Sequence, residues 1–193
     1  MNGNPLLRAP VTLQRAMVWT AFVFTALILS SCAGVTTSDY ASTKPKLVLE
    51  EYFDGEIQGW GMFLDRGGKV VRRFTVDIKG TWKENNGELV EDFVFSDGET
   101  DRRIWKITRN ADGSYTGTSG DVVGPAIGQS EGSALNWKYT MSLPFDGTIY
   151  EVQLNDWMYL VNRDVMMNRA IMRKFGFRVG EVVITFKRKE QSS

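Results

Sequence analysis

The feature that most constrains this chain is a period-2 alternation of apolar and polar residues that recurs from Leu47 onward. Successive side chains of a strand point to opposite faces, so each such run makes a strand with one buried face. In Val70–Trp82 the apolar set is Val70, Phe74, Val76, Ile78 and Trp82, while Arg73, Thr75, Asp77, Lys79 and Thr81 take the other face. Glu88–Ser96 puts Leu89, Phe93 and Phe95 together, and Arg102–Arg109 sets Arg103, Trp105 and Ile107 in step. Leu135–Leu143 alternates through Leu135, Trp137, Tyr139, Met141 and Leu143. Asn86-Gly87, Asp97-Gly98, Asp112-Gly113 and Asp146-Gly147 supply the positive φ of tight hairpins. Ile57–Asp65, Tyr115–Val122, Thr148–Asn155, Trp157–Val161 and Glu181–Lys187 complete the set of runs. Only Asp164–Phe175 is a candidate helix.

About eight to ten strands joined by short connections predict an all-β fold. Sequential hairpins with one apolar face favour a single antiparallel up-and-down barrel over residues 47–190, because closure removes the sheet edges. A sandwich is the alternative. No internal repeat and no second domain is visible.

Composition narrows the chemistry. The chain has no histidine and one cysteine, which removes Ser-His-Asp and Cys-His catalysis, internal disulfides and the usual zinc sites. No metal and no cofactor is expected. Charge is balanced at 23 bases against 23 acids, unlike a dedicated nucleic-acid binder, so no nucleic-acid partner is expected.

The chain before Leu47 reads differently. Residues 1–31 contain Arg8 and Arg15 and no acid, followed by the low-polarity run Ala16–Leu29. That run is shorter than the ~18 residues a spanning helix needs and fits a signal-peptide core. It ends in Leu29-Ser30-Ser31-Cys32, the leucine-small-small-cysteine pattern of a bacterial lipobox. The expectation is cleavage between Ser31 and Cys32 and acylation of Cys32, so that the membrane is a partner through N-terminal acyl chains. With Ala33 next, the anchored protein is expected at the outer membrane, facing the periplasm. Residues 32–46, small, polar and aperiodic after the cysteine, predict a flexible tether.

Charges on the buried parity are the candidate site. Arg72 shares a face with Phe74, Glu91 with Phe93, Arg103 with Trp105, and Asp121 with Tyr115. An unpaired interior charge costs several kcal/mol, so these groups must meet each other, water or a ligand. In a meander the strands of Arg72, Glu91 and Arg103 are neighbours, which predicts an Arg–Glu–Arg cluster able to grip a carboxylate or phosphate. Trp105, Trp137, Tyr139, Trp157 and Tyr159 are candidate pocket walls, with nearby methionines giving adaptability. Acids for general acid–base work can be drawn from Glu91, Asp121, Glu131 and Asp156. Gly120–Gly132 carries no base and no Gly-Lys-Ser/Thr, so it predicts a wide loop or bulged strand at a barrel mouth rather than a phosphate loop.

Several phrases together resemble one family: FLDRGGKVVRRFTVDIKGTW, FSDGETDRRIWKI, NWKYTMSLPFDG and NDWMYLVNRDVMMNRAIMRKFGFRVGEVVITFKRK. The chain is similar to the bacterial lipoproteins of domain-of-unknown-function family 3833 over residues 51–189. That resemblance implies a lipid-anchored, lipocalin-like envelope protein, without an established activity or catalytic residues to carry over. It also implies gene neighbours similar to cyclopropane-fatty-acid synthases and flavin-dependent amine oxidases. Gly80-Thr81-Trp82 has the Gly-x-Trp form of lipocalins. Three functions follow as expectations: a binding module for a lipid-like or amphipathic molecule, a structural or assembly lipoprotein, and a carboxylate-dependent enzyme acting on lipid or glycan.

Overall fold

A computed structural model describes residues 34–145 and 147–189. The leader, Ser31 and Cys32 lie outside the described residues. Ten antiparallel strands occupy the compact unit Thr36–Ser193: β1 (Gly55–Asp65), β2 (Val70–Lys83), β3 (Asn86–Phe95), β4 (Thr100–Arg109), β5 (Tyr115–Thr118), β6 (Val122–Glu131), β7 (Ala134–Phe145), β8 (Thr148–Leu160), β9 (Val165–Lys174) and β10 (Phe177–Arg188). Each pairs with its sequence neighbours, and β1 pairs with β10, closing an up-and-down barrel. The single barrel drawn from the alternation is therefore the fold, and the sandwich is not.

Several boundaries differ from the sequence reading. Asp164–Phe175 is no helix; its Met166, Asn168, Ala170 and Met172 face inward from β9, opposite Leu160, Met158, Asp156 and Leu154 of β8. Thr148–Asn155 and Trp157–Val161 are one strand, β8. The run from Tyr115 stops at Thr118, and the Gly-rich stretch becomes β6, whose register shifts between Val123 and Ile127. The β2–β3 turn falls at Glu84 and Asn85, since Lys83 already pairs with Asn86. Gly87 instead makes room inside the barrel: a Cβ there would stand 2.5 Å from the Trp82 ring.

The barrel has a closed end and a mouth. Helix α1 (Leu49–Tyr52) and Phe53 plug the closed end with buried Leu49, Tyr52 and Phe53. Gly80 admits the plug, because a Cβ at that position would lie 1.6 Å from the Phe53 carbonyl oxygen. The Tyr115 hydroxyl donates to Glu50 at 2.7 Å, and Arg109 pairs with the same carboxylate.

The tether reading needs correction for residues 36–46. A 3-10 turn spans Thr37–Tyr40, Thr37 is buried, and the Leu47 amide donates to the Gly132 carbonyl at 2.7 Å. Thr43 and Ser133 hydroxyls bond at 2.9 Å. Outward-facing Trp157 and Tyr159 of β8 give Tyr40 an aromatic surface to cover, at 6.0 and 5.4 Å between ring centroids. Aromatic contact area outweighs the small polar character of the segment.

A polar cluster inside the barrel

Inward-facing side chains line the barrel from the plug to the mouth. Near the plug Ile57, Ile78, Leu89, Ile107, Tyr115, Leu135 and Met166 are buried. Toward the mouth Phe63, Phe93, Phe95, Leu143 and Met172 are only half-buried against that core. Strand β7 sets Trp137 and Tyr139 on the inner face, and β4 sets Trp105 beside them, edge-on at 5.8 and 5.4 Å. Gly128 gives Trp137 its space, since a Cβ there would stand 2.2 Å from the ring.

Above this aromatic floor sit the charges. Glu91 and Arg103 are register partners across β3 and β4. Glu91 Oε2 lies 3.8 Å from Arg103 Nη1, whereas Asp121 Oδ2 lies 2.8 Å from Nη2 and accepts from Nε at 2.9 Å. Arg103 Nη2 also reaches Met141 Sδ at 3.8 Å, and its guanidinium stands 5.5 Å from the Phe93 ring centroid. Across the barrel, buried Asp156 accepts a hydrogen bond from Asn168 Nδ2. Among the described residues, buried Asp121 Oδ1 and Ser119 Oγ have no hydrogen-bond partner.

One guanidinium thus faces three carboxyl groups, and two of those hold protons more tightly than usual. Burial pushes Glu91 up to about 7, with Arg103 opposing and Asp121 and Asp156 assisting. Burial likewise pushes Asp156 up to about 7, against the pull of Asn168 and Arg103. The Tyr139 hydroxyl is raised well above its ordinary range, first by burial and then by Asp156. Burial works against the Arg103 charge, but Glu91 and Asp121 more than offset it.

The expected Arg–Glu–Arg cluster is therefore an Arg–carboxyl cluster. Arg72 leaves it: on the barrel rim, its Nε is 2.7 Å from Asp97, its Nη2 is 2.6 Å from Glu99, and its guanidinium stacks 3.7 Å over Phe95. Inward parity was right, but Arg72 faces Phe63 one strand across, near the hairpin end, where solvent and loop acids are in reach. Arg103 is already neutralised and is no free grip for a carboxylate or phosphate. Trp105, Trp137 and Tyr139 line the interior as expected. Trp157 and Tyr159 do not; they stack on the outer face at 6.0 Å. Their odd parity beside inward Asp156 carried that information. Asn168 went unseen because its strand looked helical. Glu131 points outward, toward Thr37.

Shallow surface hollows lie elsewhere, by Trp82–Gly87 and by Asp92–Val94, and contain neither Glu91 nor Arg103. Among the described residues no group of acids, cysteines or histidines could hold a metal ion, and no helix is long and apolar enough to cross a membrane.

Fold and interior together define a lipocalin-like barrel with a charged cluster set in an apolar wall. The chain belongs to the family of proteins of unknown function DUF3833, whose model matches residues 26–188. Among solved structures it is similar to the S-type phycobiliprotein lyase CPES from Guillardia theta, with a TM-score of 0.54, 12% identity, and coverage of 82% of this chain and 100% of that one. A protein of unknown function from the DUF3598 family of Nostoc punctiforme is also similar, with a TM-score of 0.47, 14% identity, and coverage of 81% and 53%. No curated protein matches the chain.

Proposed function

We propose that this barrel binds an amphipathic small molecule through its mouth, on the envelope side of a membrane to which Cys32 anchors it. One observation carries the binding reading: toward the mouth, inward-facing Phe63, Phe93, Phe95, Leu143 and Met172 stay half-buried above Glu91 and Arg103. A floor of Trp105, Trp137 and Tyr139, walls of Phe63, Phe93, Phe95 and Leu143, and adaptable Met141 and Met172 suit an apolar tail. Three carboxyls around one guanidinium favour a head that donates hydrogen bonds, such as an amine or a polyol, over a bare anion. The test is native mass spectrometry of residues 36–193, followed by extraction and identification of any small molecule retained. Retention of an amphipath that also quenches tryptophan emission, with both effects lost in Leu143→Trp, supports the reading. A barrel that quenches with no amphipath of any head charge ends it.

Anchoring rests on the lipobox and its leader. Mass spectrometry of membrane-extracted protein is expected to show an acylated N-terminal Cys32, and Cys32→Ala is expected to release the protein or leave it unprocessed.

A second reading is favoured by Glu91. A carboxyl that titrates near neutrality beside an apolar mouth has the properties of a general acid. The lyase named among the similar structures shows that a barrel of this fold also occurs in an enzyme. Turnover that Glu91→Gln abolishes while binding persists would select catalysis over carriage.

A further inference from the structure

Five hairpin tips ring the mouth, and their character is uneven. The β9–β10 tip is a two-residue turn, since Lys174 pairs with Phe177. Its first position is Phe175, at φ 50, followed by Gly176 at φ 82. Such a turn favours Asn or Asp with Gly, and a bulky side chain in the left-handed region is strained. Phe175 is nonetheless there, 85% exposed, with Phe177 beside it at 76%. On the neighbouring tips Ile149 is 71% exposed, and Val70 and Val71 are also exposed.

Bases gather on the β9–β10 and β1–β2 tips, while residues 145–151 of the β7–β8 tip hold Asp146 and Glu151 and no base. Residues 173–178 carry Arg173, Lys174 and Arg178 and no acid, and the adjoining β1–β2 turn adds Arg66 and Lys69 against Asp65. Arg178 is shared with Glu181, but Lys174 lies 3.8 Å above the Tyr150 ring, joining the β9–β10 and β7–β8 tips. The far side of the mouth is acidic: residues 96–101 hold Asp97, Glu99 and Asp101 and no base.

We propose that the lip formed by Phe175, Phe177, Ile149, Val70 and Val71 inserts into the interface of an anionic lipid bilayer, with Arg173, Lys174, Arg66 and Lys69 meeting the headgroups. Aromatic rings on projecting tips, flanked by bases, suit the headgroup–acyl boundary better than a flat protein face. Basic side chains add attraction to an anionic surface. The lip lies at the end of the barrel opposite α1 and the Thr36–Lys46 segment, and this contact does not depend on what the barrel binds.

Residues 36–193 form their own closed barrel and core, so this unit, which lacks Cys32, is the protein to test. It is cosedimented with vesicles of phosphatidylcholine alone and of phosphatidylcholine mixed with phosphatidylglycerol. Binding is expected for the mixed vesicles and is expected to weaken with salt. Phe175→Asn with Phe177→Thr should lower it at least about tenfold. Because Asn suits the left-handed turn, the same variant should unfold at a higher temperature than wild type, which separates lost binding from lost fold. Arg173→Glu with Lys174→Glu should remove the preference for phosphatidylglycerol. Wild-type protein that sediments with neither vesicle overturns the proposal, as does a Phe175→Asn, Phe177→Thr variant that binds unchanged. A dimer in solution that this variant turns into a monomer also overturns it, by assigning the lip to a second copy of the chain.

Discussion

Glu91 and Arg103 are partners on one rung of the β3–β4 ladder, yet the guanidinium leans off Glu91 and onto Asp121. The separation of 3.8 Å from Glu91 against 2.8 Å from Asp121 leaves Glu91 the weaker-held carboxyl. Burial then decides its protonation, and its pKa rises to about 7.

The first expected outcome is a stability that falls with pH. Glu91 and Asp156 both titrate near 7 in the folded protein, while unfolded carboxyls titrate near ~4. Between those limits the folded state binds more protons, so stability drops as pH rises through the window and levels off above about 7. The loss is at most about 4 kcal/mol per group. Urea unfolding at pH 5 and pH 8 measures it. Glu91→Gln should flatten part of the slope and cost little at pH 8, and Asp156→Asn should flatten more. A single variant with the wild-type slope would remove its residue from this account.

Gly80→Ala should disrupt the plug. Its Cβ would meet a backbone oxygen of Phe53, which no rotamer change can relieve, so the cost should reach about 3 kcal/mol or more, as for other overpacked core sites. Gly120→Ala has open space and no left-handed φ, and should stay within about 0.5 kcal/mol. Equal losses in denaturant unfolding would count against the plug geometry.

The barrel was legible because alternation with one buried face is a strong signal, and Phe74, Val76 and Ile78 show it almost without interruption. It faded in β9, where the inward set includes Asn168 and Ala170 and the outward set includes Met167 and Ile171, so neither face reads as apolar. Glu91 and Arg103 were found by parity, which is local; Asp121 lies in the β5–β6 turn rather than on the strand its parity assumed, and meets Arg103 from there. Arg72 was misassigned because parity fixes the face of the sheet but not the height in the barrel, and height decides whether a charge meets the core or the rim. The plug and the Tyr40 contact lie between elements far apart in sequence, and no local pattern encodes them.

Tyr40 offers a direct test of the packed N-terminal segment. It covers Trp157 and Tyr159, with its hydroxyl 3.5 Å from that of Tyr159. Two aromatic contacts of this kind contribute about 1–2 kcal/mol together. Tyr40→Ala should lose that much in thermal unfolding and shift tryptophan emission to the red as Trp157 meets water. A free tether would show neither change.

Arg72 and Arg103 should respond differently to the same truncation. Arg72 holds Asp97 and Glu99 at the rim, where both acids are exposed and screened, so Arg72→Ala should lose no more than an ordinary surface substitution. Arg103 stands 20% exposed between Glu91 and Asp121, and its removal leaves carboxylates without a counter-charge inside the barrel. Arg103→Ala should therefore cost about 3–5 kcal/mol at pH 8. Losing the cation raises the Glu91 pKa further, so the folded variant keeps that proton and the deficit shrinks toward pH 5. Denaturant unfolding of both variants at both pH values separates the cases. Equal losses for the two arginines, or an Arg103→Ala deficit that does not change with pH, would move Arg103 out of the interior cluster.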